Sequence, residues 1–128
     1  MYLPVAGSSS AFSSSSFLRM VLPNGNAVVA QLMSTPAERA AGQQFRSEPA
    51  MMLFVHPKPG PYQYHMKNVR FPLDFVWCDS NGIVQRISTE SPGRTSVDGN
   101  TISQYVIEAP AGFASQNNLK IGDQIRLG

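Results

Sequence analysis

Apolar and polar positions trade places over short stretches along this chain, and no long amphipathic run develops. Residues 17–22 (FLRMVL) and 27–33 (AVVAQLM) flank Pro23-Asn24-Gly25-Asn26. Asn and Gly supply the positive φ angles of a tight turn, so the pattern predicts a hairpin. Ser34-Thr35-Pro36-Ala37-Glu38 then has the form of a helix start. Thr35 can cap the free amides, Pro36 fits the first helical position, and Glu38 closes a capping box. The helix should run to about Phe45, weakened by Gly42. Residues 51–55 (MMLFV) form a continuous apolar run, the pattern of a strand buried on both faces. Pro57, Pro59, Gly60 and Pro61 should end regular structure, with extended chain resuming over 62–66 (YQYHM). Residues 71–78 and 83–87 around Asp79-Ser80-Asn81-Gly82 form the strongest predicted hairpin, with Leu73, Phe75 and Trp77 on one face. A polar loop over 89–103, a strand over 104–108, a short helix or turn over 110–118 and a closing strand over 124–127 complete the reading. The expected fold is α+β, mostly antiparallel β: a compact barrel-like single domain with one or two short helices.

Composition sharpens this picture at the amino-terminal end. The chain has 128 residues, enough to bury a core without a disulfide or metal staple, and its single cysteine, Cys78, has no partner within the chain. Charged residues make up 14%, against about 25% in ordinary globular chains. Between Met1 and Ala37 the only charged side chain is Arg19, and seven of the nine residues from 8 to 16 are serine. Residues 1–16 therefore read as an added Ser-rich arm and residues 17–128 as the globular domain. The start lacks the basic and apolar regions of a secretory signal, and nowhere do about 18 consecutive apolar residues occur. A product made inside the cell, without a membrane partner, is expected. The net charge of +2 comes from basic residues dispersed along the chain, too thin a distribution for a nucleic-acid footprint.

Several motifs in order resemble the domain-of-unknown-function family 192. They are the apolar strand 51–55, Tyr64-His65-Met66-Lys67-Asn68, Pro72-Leu73-Asp74, Val106-Ile107-Glu108 followed by Gly112, and Gly122-Asp123. The helix segment Thr35 to Arg46 also fits the family's Thr-x-x-Glu-Arg start. The resemblance covers about residues 17–128 and implies a small β-rich barrel-like fold, found alone, with export or membrane signals, and in phage genomes. It implies no established reaction. This chain has Gly42-Gln43-Gln44 where the family usually has Gly-Leu-Met, and His65 where it usually has Trp.

Met66, Lys67, Asn68, Asp74 and Glu108 form the polar constellation that this resemblance and the local pattern place together. Two carboxylates in one cleft can hold different pKa values and divide donor and acceptor roles. The same residues can instead serve the fold, with Asn68 and Asp74 bonding turn amides and Glu108 satisfying a strand-end backbone group or pairing with Lys67. His56 and His65 could contribute to a zinc site with a carboxylate, but the family pattern has an aromatic at both positions, so each is expected to stand in for a ring. No metal or cofactor is expected, and Cys78 in an aromatic strand is expected to act as a small apolar side chain. The stiff, tyrosine-bearing stretch 57–64 has the composition of a contact surface, or equally of a rigid connection.

Two functions follow as expectations. The first is a non-enzymatic structural or interaction domain of a larger homo- or hetero-oligomeric assembly, a phage virion component above all and otherwise a cytoplasmic protein. Its contacts would be made by Tyr2, Ser8, Phe12, Phe17, Pro59, Tyr62 and Tyr64, with the arm packed on neighbouring subunits. The second is a small-molecule binding domain or weak hydrolase working through a Met66/Asn68/Asp74/Glu108 cleft.

Overall fold

The computed structural model describes residues 1–2 and 16–128. Strands β1 (Phe17–Val21) and β2 (Ala27–Met33) form the predicted antiparallel hairpin, with Gly25 at φ 89° in its turn. Helix α1 (Pro36–Ala41) carries the full capping box: the Glu38 amide donates to the Thr35 hydroxyl, and the Thr35 amide donates to the Glu38 carboxylate. It stops well short of Phe45, because Gly42 at φ 46° turns the chain out of the helix.

Helix α1 connects β2 to the parallel strand β3 (Met52–Gly60), the one parallel pairing in a sheet that is otherwise antiparallel. Strand β3 runs through Pro57 and Pro59 where a break was expected. Its pairing with β8 (Ser103–Pro110) holds from Met52 to Val55 and resumes at Gly60, so the prolines occupy a register shift in which their missing N–H groups cost no ladder bond. Only β4 (Gln63–Tyr64) of the following stretch is a strand, and it pairs with β7 (Val97–Asp98), which interrupts the expected polar loop. Strands β5 (Leu73–Cys78) and β6 (Val84–Glu90) make the second predicted hairpin. Gly82 is required in its turn, since at φ 78° a side chain would also meet the Ile125 carbonyl. Helix α2 (Phe113–Gln116) and β9 (Arg126–Leu127) follow as expected.

The seven-stranded sheet runs β6-β5-β8-β3-β2-β1-β9 and curls into a half-barrel. Its two edges are drawn together by Ile125 N–H donating to Gly82 O (2.9 Å) and Gly122 N–H to Val84 O (2.8 Å). Both faces of the sheet are covered. One face packs Met20, Ala30, Leu53, Val76 and Ile107 beneath Phe113 and Leu119. The other packs Met52, Phe54, Leu73, Phe75, Trp77 and Val106 beneath Tyr64, Met66 and Met1.

Candidate functional site

The alternation of β5 and β8 decides which candidates can meet. Asp74 points to the face of Val76 and Cys78, whereas Glu108 stands opposite Phe75 in the ladder and shares its face. The two carboxylates are therefore separated by the sheet, and the cleft expected from Met66, Asn68, Asp74 and Glu108 does not form. Asp74 is a structural cap: it accepts from the Thr89 hydroxyl (2.7 Å) and from the amides of Gly112 (3.2 Å) and Ala114 (3.0 Å) at the start of α2.

Of the remaining candidates, Met66 alone shares a core with Glu108. Lys67 is exposed on a turn. Asn68 adopts φ 61°, a conformation that Asn tolerates better than most residues, and fastens the chain after α1 by accepting from Phe45 N–H and donating to Gln44. Glu108 does not pair with Lys67.

Glu108 is fully buried, and its Oε2 lies 3.3 Å from the ammonium nitrogen of Met1. Among the described residues, its Oε1 has no partner. The Met1 nitrogen also donates to His65 O (2.8 Å), while the Met1 carbonyl accepts from His65 N–H (2.8 Å) and Tyr2 N–H donates to Arg39 O (3.0 Å). The Met1 sulfur lies 3.0 Å from the amide of the buried Gln43, whose side chain clasps both main-chain polar groups of Ala50.

Around this core stands a wall of rings. His56 stacks on Tyr62 with centroids 3.6 Å apart and meets the hydroxyl of the fully buried Tyr64 at 2.7 Å through Nε2. Tyr2 approaches His56, Tyr62 and Tyr64 edge-on, with the Arg39 guanidinium 5.9 Å from its ring centre. Arg39 itself is buried and donates to the carbonyls of Ser34 and Val55.

Burial, reinforced by the charge of Arg39, lowers His56 to about 3. Burial, followed by the Met1 ammonium and Lys67, lowers His65 to about 4. Both rings are neutral near pH 7. Burial also raises Glu108, with the Met1 ammonium pulling the other way, and holds the Tyr64 phenol protonated. Cys78, on the opposite side of β5 from Trp77, is pushed up to about 12 by burial and by Asp79. Neither the Cys78 thiol nor the Tyr64 phenol is ionised at neutral pH. The arrangement holds a cation against a buried carboxylate.

The predicted contact residues divide. Tyr64 is core, not surface, because its hydroxyl finds His56 inside the wall of rings. Tyr2 is half-buried on its own domain, and Tyr62 is fastened by the stack on His56 and by its hydroxyl donating to Lys58 O. Pro59 and Phe17 are exposed. Ser8 and Phe12, with the rest of the expected arm from 3 to 15, lie outside the described residues, while Met1 and Tyr2 at its start dock on this chain. Sequence reasoning missed Met1, Arg39 and Gln43. The signal that could have found part of the site was the set of polar residues, Gln43, His56 and His65, at positions where the family pattern is apolar or aromatic. Among the described residues no group of three His, Cys, Asp or Glu is placed to hold a metal ion.

No curated protein matches the chain. Two solved structures share the fold. A protein of unknown function from Novosphingobium aromaticivorans DSM 12444 is 25% identical, with a TM-score of 0.76 over 98% of this chain and 91% of the other. A protein from Sinorhizobium meliloti 1021, provisionally described as a transcription regulator, is 23% identical with a TM-score of 0.76 over 93% of this chain and 98% of the other. The model of the family DUF192, described as an uncharacterised ACR, matches residues 20–127, and the chain belongs to this family.

Proposed function

We propose that the chain is a non-catalytic binding domain whose site is the pocket above Glu108, and that its ligand carries a primary ammonium group on an apolar chain. The observation that carries this reading is a fully buried carboxylate that meets an ammonium with one oxygen and, among the described residues, leaves the other unpartnered. A carboxylate removed from water is tolerated when a cation and further donors replace its hydration. The neutral His56 and His65 add cover without a positive charge of their own, and the neighbouring Arg39 guanidinium is engaged by the carbonyls of Ser34 and Val55. The test uses the full chain with one glycine added ahead of Met1, which converts the ammonium to an amide. Titration with n-butylammonium, followed by amide NMR, should give saturable shifts at His65 and Glu108 that Glu108→Gln abolishes. Equal shifts in the two proteins overturn the reading.

A second reading keeps the chain as a structural subunit of a larger assembly, with a phage virion as the case suggested by its low charge and Ser-rich segment. Phe17 and Val29, 66% and 59% exposed on the same face of the β1–β2 hairpin, support a protein contact there. Sedimentation of the full chain separates the two, since the pocket needs no second subunit.

A further inference from the structure

We propose that the Glu108 pocket is a site for an unblocked polypeptide amino terminus, read over two residues as methionine followed by an aromatic, with Met1 and Tyr2 as its resident occupant. The inference rests on the Glu108 reading above and goes beyond it by naming the ligand class.

Three successive main-chain groups are gripped. The first nitrogen donates to His65 O and Glu108, the first carbonyl accepts from His65 N–H, and the second amide donates to Arg39 O. Tyr2 forms a one-residue antiparallel bridge with Tyr64. A simple amine can satisfy only the first of these contacts, and a peptide terminus satisfies all of them. Capture of a terminal amine combined with strand-like pairing is an established way to recognise peptides.

Each side chain also has its own receptor. The Met1 side chain lies where a Cβ on Gly42 would come within 2.6 Å of its Cγ and Sδ, so glycine makes the room the thioether occupies. The Gln43 amide points at the sulfur. The second side chain enters an aromatic corner, with ring centroids 4.7 Å from His56 and 5.4 Å from Tyr62. Tyr2 also borders an open cleft of about 310 Å3 with Pro61, Tyr62, Gln63 and Asp98, so a ligand has a surface to follow beyond its second residue.

The resident belongs to the same chain, so it competes intramolecularly with any added terminus, at an effective concentration taken as on the order of millimolar. The test adds the peptide Met-Tyr-Leu-Pro-amide, the first four residues of the chain, to the full chain as it stands and to the form with one glycine ahead of Met1. The glycine-extended chain should bind the free peptide saturably, and the N-acetylated peptide roughly tenfold more weakly or worse, as expected when a buried charged hydrogen bond is lost. The unextended chain should need more peptide, and the Met1 methyl signal should move to its solvent-exposed position as the peptide displaces it. If the extended chain does not fold, displacement in the unextended chain by the free but not the acetylated peptide is the deciding measurement. Oligomers that grow with concentration and dissolve on adding free peptide would also support the proposal and identify a second copy as a source of the terminus. Equal binding of the two peptides, or no displacement at about ten times the tethered concentration, overturns it. Binding of n-butylammonium without peptide leaves the Glu108 reading standing and this inference refuted; binding of neither refutes both.

Discussion

Asp74 and Glu108 are both buried carboxylates on neighbouring central strands, and they lie on opposite faces of one sheet. Asp74 has three donors, two of them main-chain amides that no other acceptor takes. Glu108 has one ammonium and, among the described residues, an oxygen without a partner. Burial alone therefore does not distinguish a structural group from a binding group; the state of the surrounding donors does. The face of Asp74 packs almost wholly apolar side chains around its cap. The face of Glu108 also buries His56, His65 and Gln43, and among the described residues leaves His56 Nδ1 without a partner. Polar groups in this number beside an apolar core cost stability unless they are bonded, and here Ala50 holds the Gln43 side chain, Tyr64 meets His56, the Lys67 amide meets His65 and the Met1 ammonium meets Glu108.

The largest expected effect tests this contrast directly. Asp74→Ala strands the amides of Gly112 and Ala114 and detaches α2, and should cost about 3 kcal/mol in urea unfolding, the scale of buried donors left unmet. Glu108→Gln leaves the buried Met1 ammonium without its counter-charge. That charge sits at a chain end that can leave the pocket for water instead of staying buried unpaired, so the loss should stay below about 2 kcal/mol, short of the full penalty of a broken buried pair. Equal losses would break the comparison, and would show Glu108 to be as structural as Asp74.

A second, smaller effect comes from the neutral histidines. His56, held at about 3 against an ordinary 6.5, and His65, at about 4, take up protons more readily in the unfolded chain. Their contribution to stability is full above about pH 6.5 and is lost as the pH falls toward those values. Glu108 works in the opposite sense: raised by burial, it favours the folded state below its ordinary range and loses that contribution as the pH rises. Urea midpoints between pH 4 and 7 should therefore fall with acidification, and His56→Phe, which keeps a ring against Tyr62, should flatten that fall. A slope unchanged in the variant would assign the acid sensitivity elsewhere.

Much of the fold was legible because its signals are local. Asn24-Gly25 fixed one turn, Asn81-Gly82 the other, and Thr35 with Glu38 capped a helix within four residues of chain. The site was not legible for the converse reason. The Glu108 contact with Met1 spans 107 positions, and no periodicity predicts such a meeting. Alternation correctly put Leu73, Phe75 and Trp77 on one face, but with both faces of β5 buried it could not tell whether Asp74 or Phe75 shared the side of Glu108. The prolines of β3 misled for a related reason: a missing N–H ends a ladder only where a partner needs it, and the register shift between Val55 and Gly60 removes that need. The better clue was a mismatch of chemistry, Gln43 and His65 where the family carries Leu and Trp, since a buried polar replacement must find something to bond.

The smallest effect refines the site itself by dividing the labour between its first two residues. Tyr2 meets three rings edge-on, and such pairs contribute about 0.5–1.5 kcal/mol each beyond burial. Its half-exposed ring also loses side-chain freedom on docking, so Tyr2→Ala should cost only about 1 kcal/mol in total. The ammonium contacts belong to Met1 and the Tyr2 amide survives the substitution, so the Met1 methyl signal should stay in its buried position while the resonances of His56 and Tyr62 shift. If Met1 is released as well, the aromatic corner and the acidic pocket act as a single unit, and the second residue of a bound terminus contributes to its capture rather than only to its selectivity.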